Sequence, residues 1–182
     1  MSWNIDTSHT QVQFTVRHMM ISKVRGNFEK FSGTVNLDPD NPASTTVDVQ
    51  VETASVNTRD EKRDNHLRSP DFFNSQAYPY MTFKSKRVEV LDGSRAHLIG
   101  DLTIRDVTRE VSLEVEFSGK VKNPWGLTSA GFTGSTRISR KDWGLTWNVV
   151  LETGGMLVSD EVEISIELEL IQQPEAELIM AA

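Results

Sequence analysis

The chain has 182 residues, with 26 acidic against 19 basic side chains, for a net charge of −7 at pH 7. That length suits a single domain with its own core, and the acidic balance argues against nucleic acid and against an anionic membrane surface as main partners. The absence of cysteine excludes disulfides, zinc fingers, iron–sulfur clusters and thiol catalysis. No apolar run approaches the roughly 20 residues that span a bilayer. The opening MSWNIDTSHT has neither a basic start nor an apolar stretch, so a cytoplasmic protein without a secretory leader is expected.

In chain order the dominant pattern has period two. Val12, Phe14 and Val16 alternate with Gln11, Gln13, Thr15 and Arg17, which predicts a strand with one apolar and one wet face. Residues 31–37 follow (Phe31, Gly33, Val35, Leu37), and then Val47, Val49 and Val51 alternate with polar neighbours. Further strands are predicted over 80–91, 96–104, 111–117, 130–139, 145–152 and 162–170. The last alternates without a break from Val162 to Leu170. Turn signals separate these runs at Asp38-Pro39-Asp40-Asn41-Pro42, Leu91-Asp92-Gly93-Ser94, Asn123-Pro124-Trp125-Gly126 and Gly154-Gly155.

One segment breaks the pattern. Residues 58–69 read as a short helix, with Thr58 and Glu61 at capping-box spacing and Pro70 ending the run. Ser69-Pro70 could open a second helical turn carrying Phe72 and Phe73. The helix is almost wholly charged and offers only Leu67 to a core. One-sided strands with no long amphipathic helix to cover them must cover themselves, as a sandwich or a closed barrel. Hairpin-like spacing favours the barrel. The expected fold is therefore all-β: an antiparallel, eight-stranded up-and-down barrel with one short helix at about 58–69. About eight strands leave an interior that side chains fill or that holds one small ligand. Gly33, Gly100, Gly131 and Gly134 suit bulges or room left inside.

An ordered set of short motifs then becomes recognisable. It opens with Trp3-Asn4-Ile5-Asp6-Thr7-Ser8-His9 and continues with Val16-Arg17-His18 before Val24-Arg25-Gly26-Asn27-Phe28. Next come Ala54-Ser55-Val56-Asn57-Thr58 before Arg63-Asp64-Asn65-His66-Leu67, and Ser69-Pro70-Asp71-Phe72-Phe73 with Tyr78-Pro79-Tyr80-Met81-Thr82-Phe83. The set ends with Gly100-Asp101-Leu102-Thr103-Ile104-Arg105-Asp106-Val107-Thr108 and Ile138-Ser139-Arg140-Lys141-Asp142-Trp143-Gly144. Taken in order, over about residues 3 to 170, the set resembles the YceI-like family of polyisoprenoid-binding, lipocalin-like proteins. The resemblance implies an eight-stranded lipocalin-like barrel holding a long apolar molecule: a polyisoprenoid, a prenylated quinone, or a fatty acid or fatty amide. Many members of that family carry a signal peptide, which this chain departs from, and Arg105-Asp106 stands where a small residue is common.

Ligand-lining candidates follow from the barrel reading: Phe14, Val16, His18, Met20, Phe28, Val49, Leu67, Phe72, Phe73, Phe83, Ile104, Phe117 and Trp147. Even positions of the first strand face inward, which places His18 near one end, either against a ligand head group or closing a strand end against a carbonyl. Met19-Met20-Ile21 reads as an apolar lip at the mouth. Neither a metal site nor a catalytic set is expected, and no cofactor. His9 and His18 have opposite parity and lie some 30 Å apart along an extended strand, too far to share an ion. His66 reads as a surface or loop-anchoring residue and His97 as solvated. The acids fall mostly on the wet faces of strands, and no G-x-S-x-G, H-E-x-x-H or G-x-x-x-x-G-K-S/T motif occurs.

The leading expectation is a non-enzymatic carrier or store for a long-chain lipid. The alternatives are an enzyme or redox helper acting on a bound prenylated quinone, and a protein-interaction module with a filled core. Residues 1–171 are expected to form the lipid-binding barrel. The tail 172–182 is expected to be a short helix or disordered, with a dimer contact there or along an exposed 162–170 edge.

Overall fold

The structure, a computed structural model, describes residues 2–173. Its strands are β1 (Ser2–Ile5), β2 (Gln11–His18), β3 (Ser22–Phe28), β4 (Phe31–Asn36), β5 (Thr46–Glu52), β6 (Val56–Asn57), β7 (Tyr80–Val90), β8 (Arg95–Ile104), β9 (Val107–Lys122), β10 (Thr128–Ser139) and β11 (Glu161–Gln172). The helix α1 spans Glu61–Arg68.

These eleven strands make eight staves. β11 pairs with β1 from Leu170 to Gln172 and with β2 from Glu163 to Glu167, so β1 and β2 are two halves of one stave broken at the 6–10 turn. β4 faces β1 and β3 faces β2, so they form the next stave. β5 and β6 face β4 and β3 in turn. The ring then runs through β7, β8, β9 and β10 back to β11, and every ladder is antiparallel. The predicted closed, antiparallel, eight-stranded barrel with one helix is the fold observed. Among the described residues no helix is long and apolar enough to cross a membrane.

Several local expectations fail for physical reasons. Residues 145–152 form no strand and hold only an isolated bridge between Val150 and Met156. Their alternation is genuine, but the buried Arg140 side chain takes the Leu145 and Trp147 carbonyls that a neighbouring strand would need. β1 and β3 were not anticipated, because each is too short or too polar to show a clean alternation. β11 is no edge, having a partner on each side, so it cannot pair strand-to-strand with a symmetry mate along 162–170 as expected. The helix is capped by Asp60, whose side chain accepts from the Arg63 amide, and not by Thr58. Ser69-Pro70 opens hydrogen-bonded turns, with Phe72 N donating to Ser69 O, and no second helix. Residues 174–182, where most of the tail expectation falls, lie outside the described residues.

Three clusters of buried side chains fill most of the interior. Trp3, Val35, Ala130 and Leu170 close one end of the barrel. Leu102, Ile104, Trp143 and Leu145 form a second cluster, and Phe28, Val51 and Val56 a third. Full burial of a side chain such as Leu170, 1% exposed, contributes about 1.5–3 kcal/mol. Room left by glycines is already used. A Cβ at Gly100 would lie 2.6 Å from the Phe83 ring, and a Cβ at Gly26 would collide with the Phe14 ring. Glycine here admits an aromatic ring over the backbone of a neighbouring strand.

Candidate functional site

The interior is unfilled at the end opposite the Trp3 cluster. Between β6 and β7 no ladder forms, and α1 with the 69–79 loop stands in the gap. Beneath this cover lies a cavity of about 250 Å³. β2 contributes Val12, Phe14, Val16 and His18 to its wall, and β3 contributes Val24 and Phe28. Arg63, His66 and Leu67 come down from α1, and Phe72 and Phe73 from the loop behind it. The 145–158 segment supplies Leu145, Trp147, Leu157 and Val158.

The aromatic side chains form two groups. Phe14, Phe28 and Phe73 stack in series, with ring centroids 5.6 Å apart at each step, against the Val51 and Val56 cluster. At the rim, the His66 ring stands edge-on to Phe72 at 5.1 Å and to Trp147 at 4.6 Å, with Phe72 and Trp147 5.5 Å apart. Asp71 fixes the His66 ring through a 2.9 Å bond to Nε2.

The ionisable groups that line the cavity are Arg17, Arg63, Arg140, His18 and His66, with no carboxylate among them. They differ in how far they are committed. Arg140 is 4% exposed and donates to four backbone carbonyls, those of Leu145, Trp147, Val158 and Ser159, at 2.7–3.4 Å. Burial pulls its guanidinium below the ordinary arginine range, and Asp160, 3.7 Å away, opposes that pull. Arg63 is pinned by Nε to Thr58 Oγ1 and by Nη2 to the Thr58 carbonyl, both at 2.7 Å. Thr58 is held in turn by the buried Asp64 carboxylate, which accepts from its hydroxyl at 2.6 Å and its amide at 2.9 Å. Arg63 Nη1 keeps only a 4.0 Å approach to Asp60. Among the described residues, the His18 ring has no hydrogen-bond partner, although its backbone carbonyl accepts from Ile21 N. The Arg17 side chain is exposed on the outer face of β2, so His18 and the Arg63 Nη1 group are the donors with spare capacity that remain for the interior.

The structure brings nine of the sequence candidates to this wall: Phe14, Val16, His18, Phe28, Leu67, Phe72, Phe73, Ile104 and Trp147. Four lie elsewhere. Val49 and Phe83 are opposite each other on β5 and β7 and are absorbed into the packed clusters, because Gly33 and Gly100 let their neighbours close in. Phe117, 39% exposed, stacks on Phe132 at 5.3 Å toward the Trp3 end. Met20 stands 67% exposed on the β2–β3 turn, outside the cavity. His66, expected at the surface or anchoring a loop, does hold the loop through Asp71, and its ring also stands at the cavity rim between two aromatics. Sequence reading also missed Arg63, Val24, Leu157 and Val158. Only Arg63 carried a signal, in the Arg63-Asp64-Asn65-His66-Leu67 motif.

Two other places gather functional groups. A larger concavity, about 530 Å³, lies outside the barrel beside α1, where Glu29, Lys30, Glu52, Arg59, Asp60 and Arg68 mix both signs of charge on an open polar surface. Asp6, His9 and Glu169 bring ligand-type atoms within 4.8 Å of one another at the 6–10 turn. There Asp6 already accepts from Ser8 and His9 at 2.6–3.0 Å, which lowers its pKa, while donating to Asp6 raises that of His9. This pair pins the stave break between β1 and β2. It lies at the other end of β2 from His18.

The match to known proteins agrees with this geometry. The model of the YceI-like domain fits residues 3–170. The chain belongs to the YceI-like family. A UPF0312 protein of Staphylococcus aureus (strain MSSA476) is 34% identical over 169 residues, which are 92% of this chain and 96% of that one. A UPF0312 protein of Staphylococcus epidermidis is 36% identical over 168 residues, 92% of this chain and 95% of that one. Among solved structures, the Campylobacter jejuni YCEI protein superposes with a TM-score of 0.75 at 34% identity, covering 87% of this chain and 90% of that one. A polyisoprenoid binding domain from Saccharophagus degradans shares the fold at 13% identity, with a TM-score of 0.69 over 94% of this chain and 98% of that one.

Proposed function

We propose that this YceI-like protein binds a polyisoprenoid or other long-chain lipid in the barrel interior, as a carrier or store and not as an enzyme. The observation that carries this reading is the cavity under α1. Its wall is mostly apolar, the exceptions being Gln13, Thr58 and a few cationic and imidazole groups, and it opens beside an aromatic rim of His66, Phe72 and Trp147. Each methylene moved from water onto such a wall contributes about 0.8 kcal/mol, so chain length and shape dominate selection. His18 and Arg63 Nη1 are donors for a single polar head group, which sets the direction of entry. Of the other two lining arginines, Arg140 is occupied by its four carbonyls and serves as wall, and Arg17 is exposed on the outer side of β2. The volume of about 250 Å³ is smaller than the roughly 300–1,000 Å³ of ordinary ligand sites, so a long chain enters by displacing rim side chains or extends past the rim. The domain named as polyisoprenoid binding shares this barrel and supports the ligand class. Native mass spectrometry of gently purified protein, with analysis of its organic extract, tests the reading. One stoichiometric long-chain species is expected. Empty protein that also takes up no added prenyl or fatty chain would overturn it.

A further inference from the structure

Six of the twelve large apolar side chains exposed among the described residues lie together beside the cavity mouth. Met19, Met20 and Ile21 form the β2–β3 turn, and Val149, Val150 and Met156 form a small neighbouring loop. Ile21 is 79% and Val150 69% exposed. The two tips are one surface: Met19 N donates to Leu157 O at 2.8 Å, and Met20 Sδ lies where a Cβ on Gly155 would come within 2.7 Å. That surface continues directly into the cavity wall through His18, Leu157 and Val158.

Backbone geometry shows that local folding does not explain these side chains. Met19 and Met20 have φ of 52° and 62°, two consecutive left-handed residues, with Ile21 N bonded to His18 O. Turns with two positive φ values favour Asn-Gly, and bulky side chains there are disfavoured. The turn is strained in order to present two methionines to solvent, and such strain points to use at a surface.

Charge chooses the occupant. On the outer face just below the tip, Arg17 and Lys23 are cross-strand partners, and Arg25 is the next outward residue on β3. All three are exposed, and among the described residues none of their side chains has an ion pair. The nearest acids on β11, Glu161 and Glu163, are both taken by Arg137 at 3.5 and 2.9 Å. Glu152 is the single unpaired acid on the loop. A chain of net charge −7 therefore carries a local cationic collar around this exposed apolar tip. An apolar wedge ringed by basic residues matches an anionic bilayer surface, with the wedge reaching the acyl boundary and the collar meeting headgroups.

We propose that the Met19–Ile21 turn and the Val149–Met156 loop dock this barrel on an anionic phospholipid bilayer, with the cavity mouth against the membrane. The inference rests on the lipid-binding reading for its purpose. The test is flotation of the full chain with vesicles of phosphatidylcholine alone or mixed with phosphatidylglycerol. Binding is expected on the mixed vesicles and falls with salt. Substituting Met19→Asn together with Met20→Gly relieves the turn, so the variant folds at least as well while its partition falls about tenfold or more. Ile21→Ser gives a second reading of the same loss. Lys23→Gln and Arg25→Gln each lower partition roughly fivefold on mixed vesicles only. Trp125→Ser, on a residue 83% exposed at the opposite end, leaves binding unchanged. Unaltered flotation of the Asn-Gly variant, or no flotation of the parent chain, overturns the proposal. Self-association abolished by the same substitutions, without vesicle binding, assigns the face to a second copy and equally overturns it. Uptake of a prenyl probe from solution, measured alongside, separates loss of docking from failure of the lipid-binding reading.

Discussion

Arg140→Ala is expected to destabilise the protein severely. The side chain is 4% exposed and ties the Leu145, Trp147, Val158 and Ser159 carbonyls, which belong to two passes of chain with no ladder between them. Hydrogen bonds to a charged donor contribute about 1.5–3 kcal/mol each, but the cavity admits water to some of the carbonyls left behind. A net loss of about 3–5 kcal/mol follows, as for breaking a buried ionic network. In a domain of this size that lowers Tm by roughly 6–20 °C. Arg140→Lys keeps the charge but lacks the planar fork that reaches four acceptors, so it recovers only part of the loss. Urea titration with matched m-values measures the effect, and hydrogen exchange of the 145–158 amides shows where it falls. A loss under about 1 kcal/mol for Arg140→Ala, with unchanged exchange in that segment, would refute the argument that this guanidinium replaces a strand neighbour.

Val16→Trp fills the cavity from β2, and is expected to abolish uptake of a fluorescent prenyl probe while stability changes little. Phe83→Trp, in the packed cluster under Gly100, is expected to cost about 1–3 kcal/mol by overpacking and to leave uptake largely intact. Asp64→Ala removes the acceptor of the Thr58 amide and hydroxyl, so urea titration should show a loss of about 2–4 kcal/mol, with Arg63 freed from its fixed pose. The Asp6–His9 pair gives a pH window. The His9 pKa is raised in the folded state by the bond it donates to Asp6, so its contribution is complete below 6.5 and is lost as pH rises through the raised value. Asp6 is lowered by Ser8 and then His9, so its contribution is present above 3.8 and is lost as pH falls through the lowered value. His9→Ala should therefore lower thermal stability at pH 5 more than at pH 8.

What the sequence made legible was whatever a period of two can encode. The uninterrupted alternation of β11 and of Val12–Val16 identified staves, and the lack of an amphipathic helix forced closure. That pattern shows which face a residue takes, not how deep it lies along the barrel axis. Phe14 and Phe83 therefore looked alike, although one meets the cavity and the other is packed under Gly100. Residues 145–152 looked like a strand because the side chains of Leu145 and Trp147 do face inward; only a distant arginine decides that their carbonyls go elsewhere. Loop anchoring by His66 was legible, but its place at the rim was not, because helix composition hides the stripe that faces the cavity. His66 and Leu67, next to Arg63 across one turn, reach the cavity from a helix whose buried side chain is the carboxylate Asp64.

The same barrel uses its two ends for opposite purposes. At the Trp3 end the staves pair to completion, and aromatic and branched side chains fill the space between them. At the other end the β6–β7 ladder is missing, and a polar helix, an aromatic rim and a loop held by Arg140 take its place. Side-chain bonds such as Asp64–Thr58–Arg63 and Asn148–Val158 replace ladder bonds there. Each such replacement involves few residues, so this end opens at lower free energy than the paired end. A long apolar ligand needs that difference: a closed floor to exclude water from its chain, and a cover that yields without unfolding the barrel. Protection of α1 and 145–158 amides well below that of β10 and β11 is the expected signature, and equal protection at both ends would contradict this division of labour.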